Sequence, residues 1–303
     1  MSSLSDYYLC RLGRLGQLLQ AVDPMPGHAL RSGLVVFAAD HEISREGCSA
    51  YTPLSTGRLV EYHLQGKSPV SRILKHIDCP EIIVDVGLFH PIHHQAVLSR
   101  PVRRGSRAFL EQDALWPEEV EQAQQIGFSL WDAISAYQFD IIGLGELGVG
   151  NTLAAEAITC AMLQLRPEQV VGRGSAADKV IRQKIDIINR ALQHRRPQPD
   201  NCVDLLVRFG GLEIAALSGF IMRSFAMNKK VILDGLVTAV AAALANLVQP
   251  GKTHLLIAPS LAEEPAHQYV LAELGLKTLF DMQLNYGEGL AAALSMFLLE
   301  VLN

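Results

Sequence analysis

Three short glycine-rich stretches hold most of the side chains and bare backbone suited to chemistry: Gly143-Leu144-Gly145-Glu146-Leu147-Gly148-Val149-Gly150-Asn151-Thr152, Gly172-Arg173-Gly174-Ser175 and Gly287-Glu288-Gly289. In the first, a short apolar run (Phe139 to Ile142) meets the glycines, and an Ala-rich helical pattern from Leu153 to about Leu165 follows. Strand, glycine turn and helix start bring backbone N–H groups and a positive helix end to one point, which suits a phosphate. The glycines let the backbone approach a ligand closely, and Asn151-Thr152 are read as the N-cap. Glu146, the one charge in the loop, would repel a phosphate but can hold hydroxyls beside it. Gly143-x-Gly145-x-x-Gly148 also spells a dinucleotide fingerprint, which requires a second strand ending in Asp or Glu about 20 residues on. That region is Leu165 to Ser175, a second glycine turn with no acid-ended strand, so the expectation is phosphate and not NAD.

The other candidates fall at matching places. Asp40-His41 follows the strand pattern Leu34–Ala39, Gly210-Gly211 precedes a buried helix pattern, and Asp234-Gly235 ends a strand pattern at Lys230–Leu233. Lys184 lies on an amphipathic helix, Ala177 to about Gln193, and Glu288 opens the last helix. Each has a plain reading too: Asp234 as an N-cap, Glu288 as a complement to a helix dipole, Lys184 as a solvated residue. Strands at about 34–39, 82–87, 139–142, 230–233 and 254–258 alternate with helices at about 56–64, 70–76, 117–137, 153–165, 212–227 and 265–274. That alternation predicts an α/β fold with a Rossmann-like, parallel, doubly wound sheet and the site at its carboxyl edge.

Composition narrows the class. The 303 residues are 49% hydrophobic and 19% charged, enough for a large core, and the net charge of −5 argues against nucleic acid as a partner. Five scattered cysteines (Cys10, Cys48, Cys79, Cys160, Cys202) form no C-x-x-C pair, which points to a reducing compartment. Ser2–Tyr8 is polar, and the longest apolar stretch, Gly235–Val248, is too short to span a bilayer; the expectation is a cytoplasmic protein without a membrane span. His90, His93 and His94 lie in a loop with no third ligand type at a useful spacing, so no metal is expected there. No acid pair precedes a Gly-Thr loop, and neither a Gly-x-Ser-x-Gly elbow nor a Gly-Lys-Ser/Thr loop occurs.

Taken in order, Leu12-Gly13-Arg14-Leu15, Ala39-Asp40-His41, Glu46-Gly47-x-Ser49-Ala50-Tyr51, Gly145-Glu146-Leu147-Gly148-x-Gly150-Asn151-Thr152, Gly172-x-Gly174 with Asp178 and Lys184-Ile185-Asp186, Gly210-Gly211-x-Glu213-Ile214-Ala215-Ala216-Leu217, Leu233-Asp234-Gly235 and Gly287-Glu288-Gly289 resemble the nicotinate-nucleotide–dimethylbenzimidazole phosphoribosyltransferase family. The likeness runs from about residue 12 to 295. It implies a Rossmann-like core over 31–284, with 1–30 and 285–303 forming a small helical subdomain, and a homodimer with no cofactor. It implies transfer of 5-phosphoribose from nicotinate mononucleotide to a benzimidazole-type base. By the same resemblance Glu288 is the proton acceptor and Glu146 the second active-site carboxylate. Gly148, Gly150, Asn151, Gly172, Gly174, Lys184, Asp234 and Gly235 surround the nucleotide and its phosphate. Ser49, Tyr51, Arg58, Leu147 and Tyr286 form the base pocket. The leaving nitrogen of the donor is already cationic, so the reaction needs a base and no general acid or metal; burial would raise one carboxylate toward the working range.

The chain departs from the family pattern around the ligands. Arg58 is read at the place of a glutamine in the base pocket, Pro259-Ser260-Leu261-Ala262 replaces a Ser-His-x-Ser loop, and Leu290-Ala291 follows the Gly-Glu-Gly. Two further readings therefore stand beside the first: the same fold with a different acceptor, such as a purine or a phenol, or a non-catalytic nucleotide-binding member or heterodimer partner.

Overall fold

Strand β1 (Ser32–Ala39) is buried along its whole length and organises everything else. Its alternation sends Val35, Phe37 and Ala39 into one apolar cluster and Leu34, Val36 and Ala38 into another, so both faces of the strand must be covered. The computed structural model describes residues 13, 14, 16, 18, 19, 30–49, 51–52, 55–172 and 179–302. Among these, β2 (Glu81–Gly87), β3 (Val97–Ser99), β4 (Ile141–Leu147), β5 (Val231–Ile232) and β6 (Leu256–Ile257) join β1 in a sheet of order β3-β2-β1-β4-β5-β6, parallel throughout. A short parallel pair, β7 (Ser260–Ala262) with β8 (Phe280–Leu284), stands apart.

The strand order reverses between β1 and β4, because the chain leaves β1 for β2 on one side and returns to β4 on the other. Loops after these two strands diverge and leave a crevice at their carboxyl ends, the usual ligand position in open parallel sheets. One face of the sheet carries the helices Pro117–Ala133, Asn151–Leu163, Leu212–Ala226 and Leu236–Val248, whose residues share the cluster of Val35 and Phe37. The other carries Ser55–Leu64, Pro69–His76 and Leu290–Leu302, with Val60, Leu74 and Met296 in the cluster of Leu34 and Val36. The parallel, doubly wound α/β architecture read from the alternation is thus the one observed.

Some boundaries move. The strand expected to end at Ile142 continues to Leu147, since Gly143, Gly145 and Leu147 pair with Leu34, Val36 and Ala38 of β1. The turn is therefore only Gly148-Val149-Gly150, and the helix begins at Asn151 with Gly150 as its N-cap and no side-chain cap. The small strands β3, β7 and β8 carry too little pattern to announce themselves. The Leu290–Leu302 helix packs on β1, β4 and the Pro69–His76 helix, and Leu18 and Leu19 join its apolar cluster. Most of 1–29, including Leu12 and Leu15, lies outside the described residues. Among the described residues no helix is long and apolar enough to cross a membrane.

Candidate active site

Glu146 sits one residue before the end of β4, paired with Phe37 of β1, at the crevice where the strand order reverses. The two glycines before it serve the chain and not a dinucleotide. A Cβ on Gly143 would lie 3.0 Å from Ala292 and Met296, and one on Gly145 would lie 3.0 Å from the Glu288 carbonyl and the Gly289 Cα. Bare backbone at these two positions lets the segment carrying Glu288 lie directly against β4.

That segment is held in an uncommon conformation. Gly287, Glu288 and Gly289 have φ of 76°, 61° and 89°, three successive left-handed residues. For Glu288 this costs on the order of 1 kcal/mol or more and persists only where the surroundings over-determine it. Asp234 supplies the constraint: its Oδ2 accepts the Gly289 N–H at 2.9 Å and its Oδ1 accepts the Ala291 N–H at 2.7 Å. The carboxylate thereby satisfies orphan amides at the start of the Leu290–Leu302 helix. Asp234 is itself fixed by its N–H donating to Thr238 Oγ1 at 2.8 Å.

A cleft opens above these residues, enclosing about 1030 Å³ when its open mouth is included. On its floor lie Gly148, Val149, Gly150, Asn151, Thr152 and Leu153, the turn and first helical turn after β4. Glu146 and Glu288 stand on its walls, with Ser49, Tyr51, Leu59, Leu147, Leu236, Val237, Ala262, Leu284 and Tyr286 beside them. The helix start is poised by Thr56, whose Oγ1 accepts the Val149 N–H at 3.1 Å. Asn151, expected as an N-cap, instead donates its side-chain amide to Glu146 Oε2.

The acids of the site are crowded. Burial first, then the neighbouring Asp234 and Glu213 carboxylates, hold the Glu146 carboxyl well above its ordinary range, and the Asn151 hydrogen bond only partly opposes them. Burial likewise pushes Asp234 up to about 6, against its backbone hydrogen bonds. Among the described residues the cationic partner of Glu288 is His63, its side chain fully buried, whose Nε2 lies 2.8 Å from Glu288 Oε2 and whose Nδ1 lies 2.5 Å from Glu81 Oε1. Burial disfavours a charged ring, yet the hydrogen bonds it donates to Glu288 and Glu81 outweigh that and raise the imidazole to about 9. Glu288 also meets the Tyr286 hydroxyl, whose acidity burial and then this carboxylate weaken.

Lys184 reaches the cleft from the Lys179–Arg195 helix, but its Nζ is already held 2.9 Å from both Glu156 oxygens and 2.8 Å from the Gly172 carbonyl. Gly172 turns its N–H inward to Glu156 Oε1 at 2.9 Å. Burial pushes Glu156 up to about 7 even with the ammonium beside it. Gly172 lines a smaller adjoining hollow with Glu264 and Asn285, while Gly174 lies outside the described residues. Gly235 borders the main cleft, with Asp234 behind it.

Asp40 and His41 brace the crevice from beneath. Asp40 Oδ2 accepts the Phe89 N–H at 2.7 Å. His41 bridges Ser106 Oγ at 3.1 Å and Glu213 Oε1 at 2.7 Å. All three members of that bridge are buried, so the serine is a structural hydroxyl and no nucleophile. His90, His93 and His94 are exposed, and among the described residues no group of histidine, cysteine and acid side chains is arranged to hold a metal.

Several residues of the site escaped the sequence reading. Arg58 is exposed and does not line the cleft; Leu59, one step along the Ser55–Leu64 helix, does. A one-residue step turns a helix by 100°, so Leu59 and Arg58 cannot both face the cleft. His63 lies one further turn along the same face. The spacing of Leu59 and His63 was the available signal, but nothing local names partners 18 and 225 residues away.

The family model described as phosphoribosyltransferase matches residues 9–301. A nicotinate-nucleotide–dimethylbenzimidazole phosphoribosyltransferase from Thermus thermophilus is 35% identical over 288 residues, 94% of this chain and 85% of the relative. One of the same name from Chloroflexus aurantiacus is 31% identical over 291 residues, 94% of this chain and 83% of that one. The crystal structure of CobT from Thermus thermophilus superposes with a TM-score of 0.88 at 33% identity, covering 99% of this chain and 90% of that chain. With the ordered motifs, the switch-point cleft and these matches all in agreement, the chain belongs to the nicotinate-nucleotide–dimethylbenzimidazole phosphoribosyltransferase family.

Proposed function

We propose that the protein transfers 5-phosphoribose from nicotinate mononucleotide to a benzimidazole-type base. The observation that carries this is one cleft lined both by a glycine turn with its helix start and by Glu288 beside apolar and tyrosyl side chains. The Asn151 N–H is taken by the Gly148 carbonyl at 3.1 Å and Ala154 donates to Gly150, so Thr152 and Leu153, both lining the cleft, are the first-turn amides that support placing the donor phosphate there. Glu146, deep in the cleft and disposed to keep a proton, suits a hydrogen bond to ribose hydroxyls beside that phosphate.

The step then balances without a metal or a general acid. The lone pair of the base's ring nitrogen attacks C1′ of the ribose, and the C1′–N bond to the pyridinium breaks with its electrons returning to the departing nicotinate nitrogen. The proton on the entering ring system passes to Glu288, whose role is general base. Leu59, Leu147, Tyr51 and Tyr286 offer aliphatic and aromatic surface for a base. Such a surface favours a benzimidazole over a purine, whose polar edge would be left unpaired. The same reading carries a cytoplasmic homodimer; sedimentation of the purified protein checks the dimer, and cell fractionation the location.

Incubation with nicotinate mononucleotide and a panel of benzimidazoles, purines and phenols tests the proposal. Nicotinate release that depends on a benzimidazole, with a phosphoribosylated base as co-product, is the expected result. Release with purines or phenols alone, or binding of the donor without transfer to any base, would overturn it.

A further inference from the structure

Four carboxylates from four parts of the chain converge around Glu146, and Glu288 is one of them. Glu146 comes from β4, Asp234 follows β5, Glu213 belongs to the Leu212–Ala226 helix and Glu288 is on the Gly287–Gly289 loop. Tyr286 on the loop, with Tyr51 and Tyr62 near it, adds hydroxyls but no positive charge. Crowded acids in a desolvated site keep their protons, and a carboxyl that already holds a proton cannot take one from a substrate. Against this stands His63, with no exposed surface, clamped between Glu288 Oε2 at 2.8 Å and Glu81 Oε1 at 2.5 Å.

We propose that His63 is a positioning residue for the proton acceptor. As an imidazolium anchored by Glu81, it keeps Glu288 ionised among the neighbouring acids and fixes one of its oxygens, leaving the other for the substrate. Glu81, on the first residue of β2 and nearly buried, acts as the counter-ion that keeps the ring charged. The direction of the ring's own titration agrees, since it keeps its proton to about pH 9. When Glu288 takes the proton from the base, Glu81 and His63 remain paired, so no bare charge is left in the apolar surroundings. The arrangement resembles the orienting acid behind a catalytic histidine, with the order of the groups reversed.

The proposal rests on the transferase reading, so its test has one arm in the unliganded protein and one in turnover. In the first arm, NMR follows the His63 ring nitrogens and the Glu288 side-chain carbon against pH. The parent should hold a doubly protonated ring through neutral pH. His63→Gln, which keeps an N–H but no charge, should move the Glu288 midpoint upward by about one pH unit or more. In the second arm, the acid limb of the pH–rate profile should move by the same amount. Turnover on that limb, at pH values below both midpoints, then falls by up to about 10-fold, the deficit narrows as pH rises, and the KM for nicotinate mononucleotide stays within about twofold. Glu81→Gln, a gentler change, should move both readouts the same way by less. A loss equal at every pH, an unmoved Glu288 midpoint or a neutral ring at pH 7 would each overturn the proposal. Melting temperatures identify any variant that is merely unfolded, in which case Glu81→Gln decides. Should no base be phosphoribosylated while the NMR behaviour holds, the transferase reading fails and the proposed control of Glu288 ionisation stands.

Discussion

Asp234→Asn separates the stability of this loop from its function. The ionised carboxylate accepts two N–H groups, from Gly289 and Ala291, and the burial that surrounds it raises its pKa from 3.8 to about 6. That rise corresponds to roughly 3 kcal/mol by which ionisation opposes folding at pH 8. The sign follows from linkage: a group whose folded pKa is raised contributes stability that is whole below pH 3.8 and lost as pH passes about 6. Asparagine mimics the protonated acid, with one acceptor and one donor. At pH 8 the variant should therefore be as stable as the parent or more so, by up to about 3 kcal/mol, with the two converging near pH 4. Function should go the other way. The amide group turns a donor toward a backbone N–H, the left-handed Gly287–Gly289 turn loses one anchor, and Glu288 shifts. A displacement of about 1 Å at the reacting group can cost on the order of 10²-fold in rate. Urea unfolding at pH 4, 6 and 8, with nicotinate release on the same preparation, measures both. A variant less stable than the parent by about 2 kcal/mol at pH 8, the size of a charged hydrogen bond, would refute the claim that burial dominates here.

Gly150→Ala should raise the KM for nicotinate mononucleotide at least tenfold and leave binding of the phosphate-free nicotinate riboside little changed. Gly150 has φ of 103°, and an added Cβ would meet His41 and Ser44 at 3.2 Å, so the turn that presents the helix start must shift; equal loss for both ligands would speak against a phosphate there. Parent stability should fall as pH rises from about 5 to 9, because Asp234 (about 6), Glu156 (about 7) and His63 (about 9) all bind protons more tightly folded than unfolded. Calorimetry showing a melting temperature that climbs between pH 6 and 8 would contradict this. Dialysis against chelator should leave activity intact, since the leaving nitrogen is already cationic; loss restored by zinc or manganese would show that the His90–His94 loop or another site holds a catalytic metal.

The legible features were those written locally. Strand β1 is a continuous apolar run, β2 is one interrupted by Asp85, and the glycine stretches around Glu146 and Glu288 stand out in any reading. What stayed hidden depends on distant parts of the chain meeting. Gly143 and Gly145 look like a ligand loop because glycine reports only that something approaches closely. Here the approaching group is the chain's own C-terminal segment. Asp234 reads as an ordinary N-cap for the helix that follows it, yet it caps a different helix, 57 residues on at Ala291. His63 sits in an amphipathic helix with nothing to distinguish it from a solvated histidine until β2 and the Glu288 loop are placed beside it. Lys184 resembles a free phosphate ligand, but its ammonium is engaged by Glu156, a residue of the buried Ala-rich helix that drew no attention.

The central claim is that Glu288 takes the proton from the entering base. Glu288→Gln preserves the size of the side chain and the left-handed turn, so the folded protein should bind nicotinate mononucleotide nearly as the parent does. A positioned general base contributes about 10²–10⁴-fold, and single-turnover release of nicotinate in the presence of 5,6-dimethylbenzimidazole should fall by that factor with the melting temperature little altered. Release at the parent rate from the folded variant would contradict the account and move the role to Glu146.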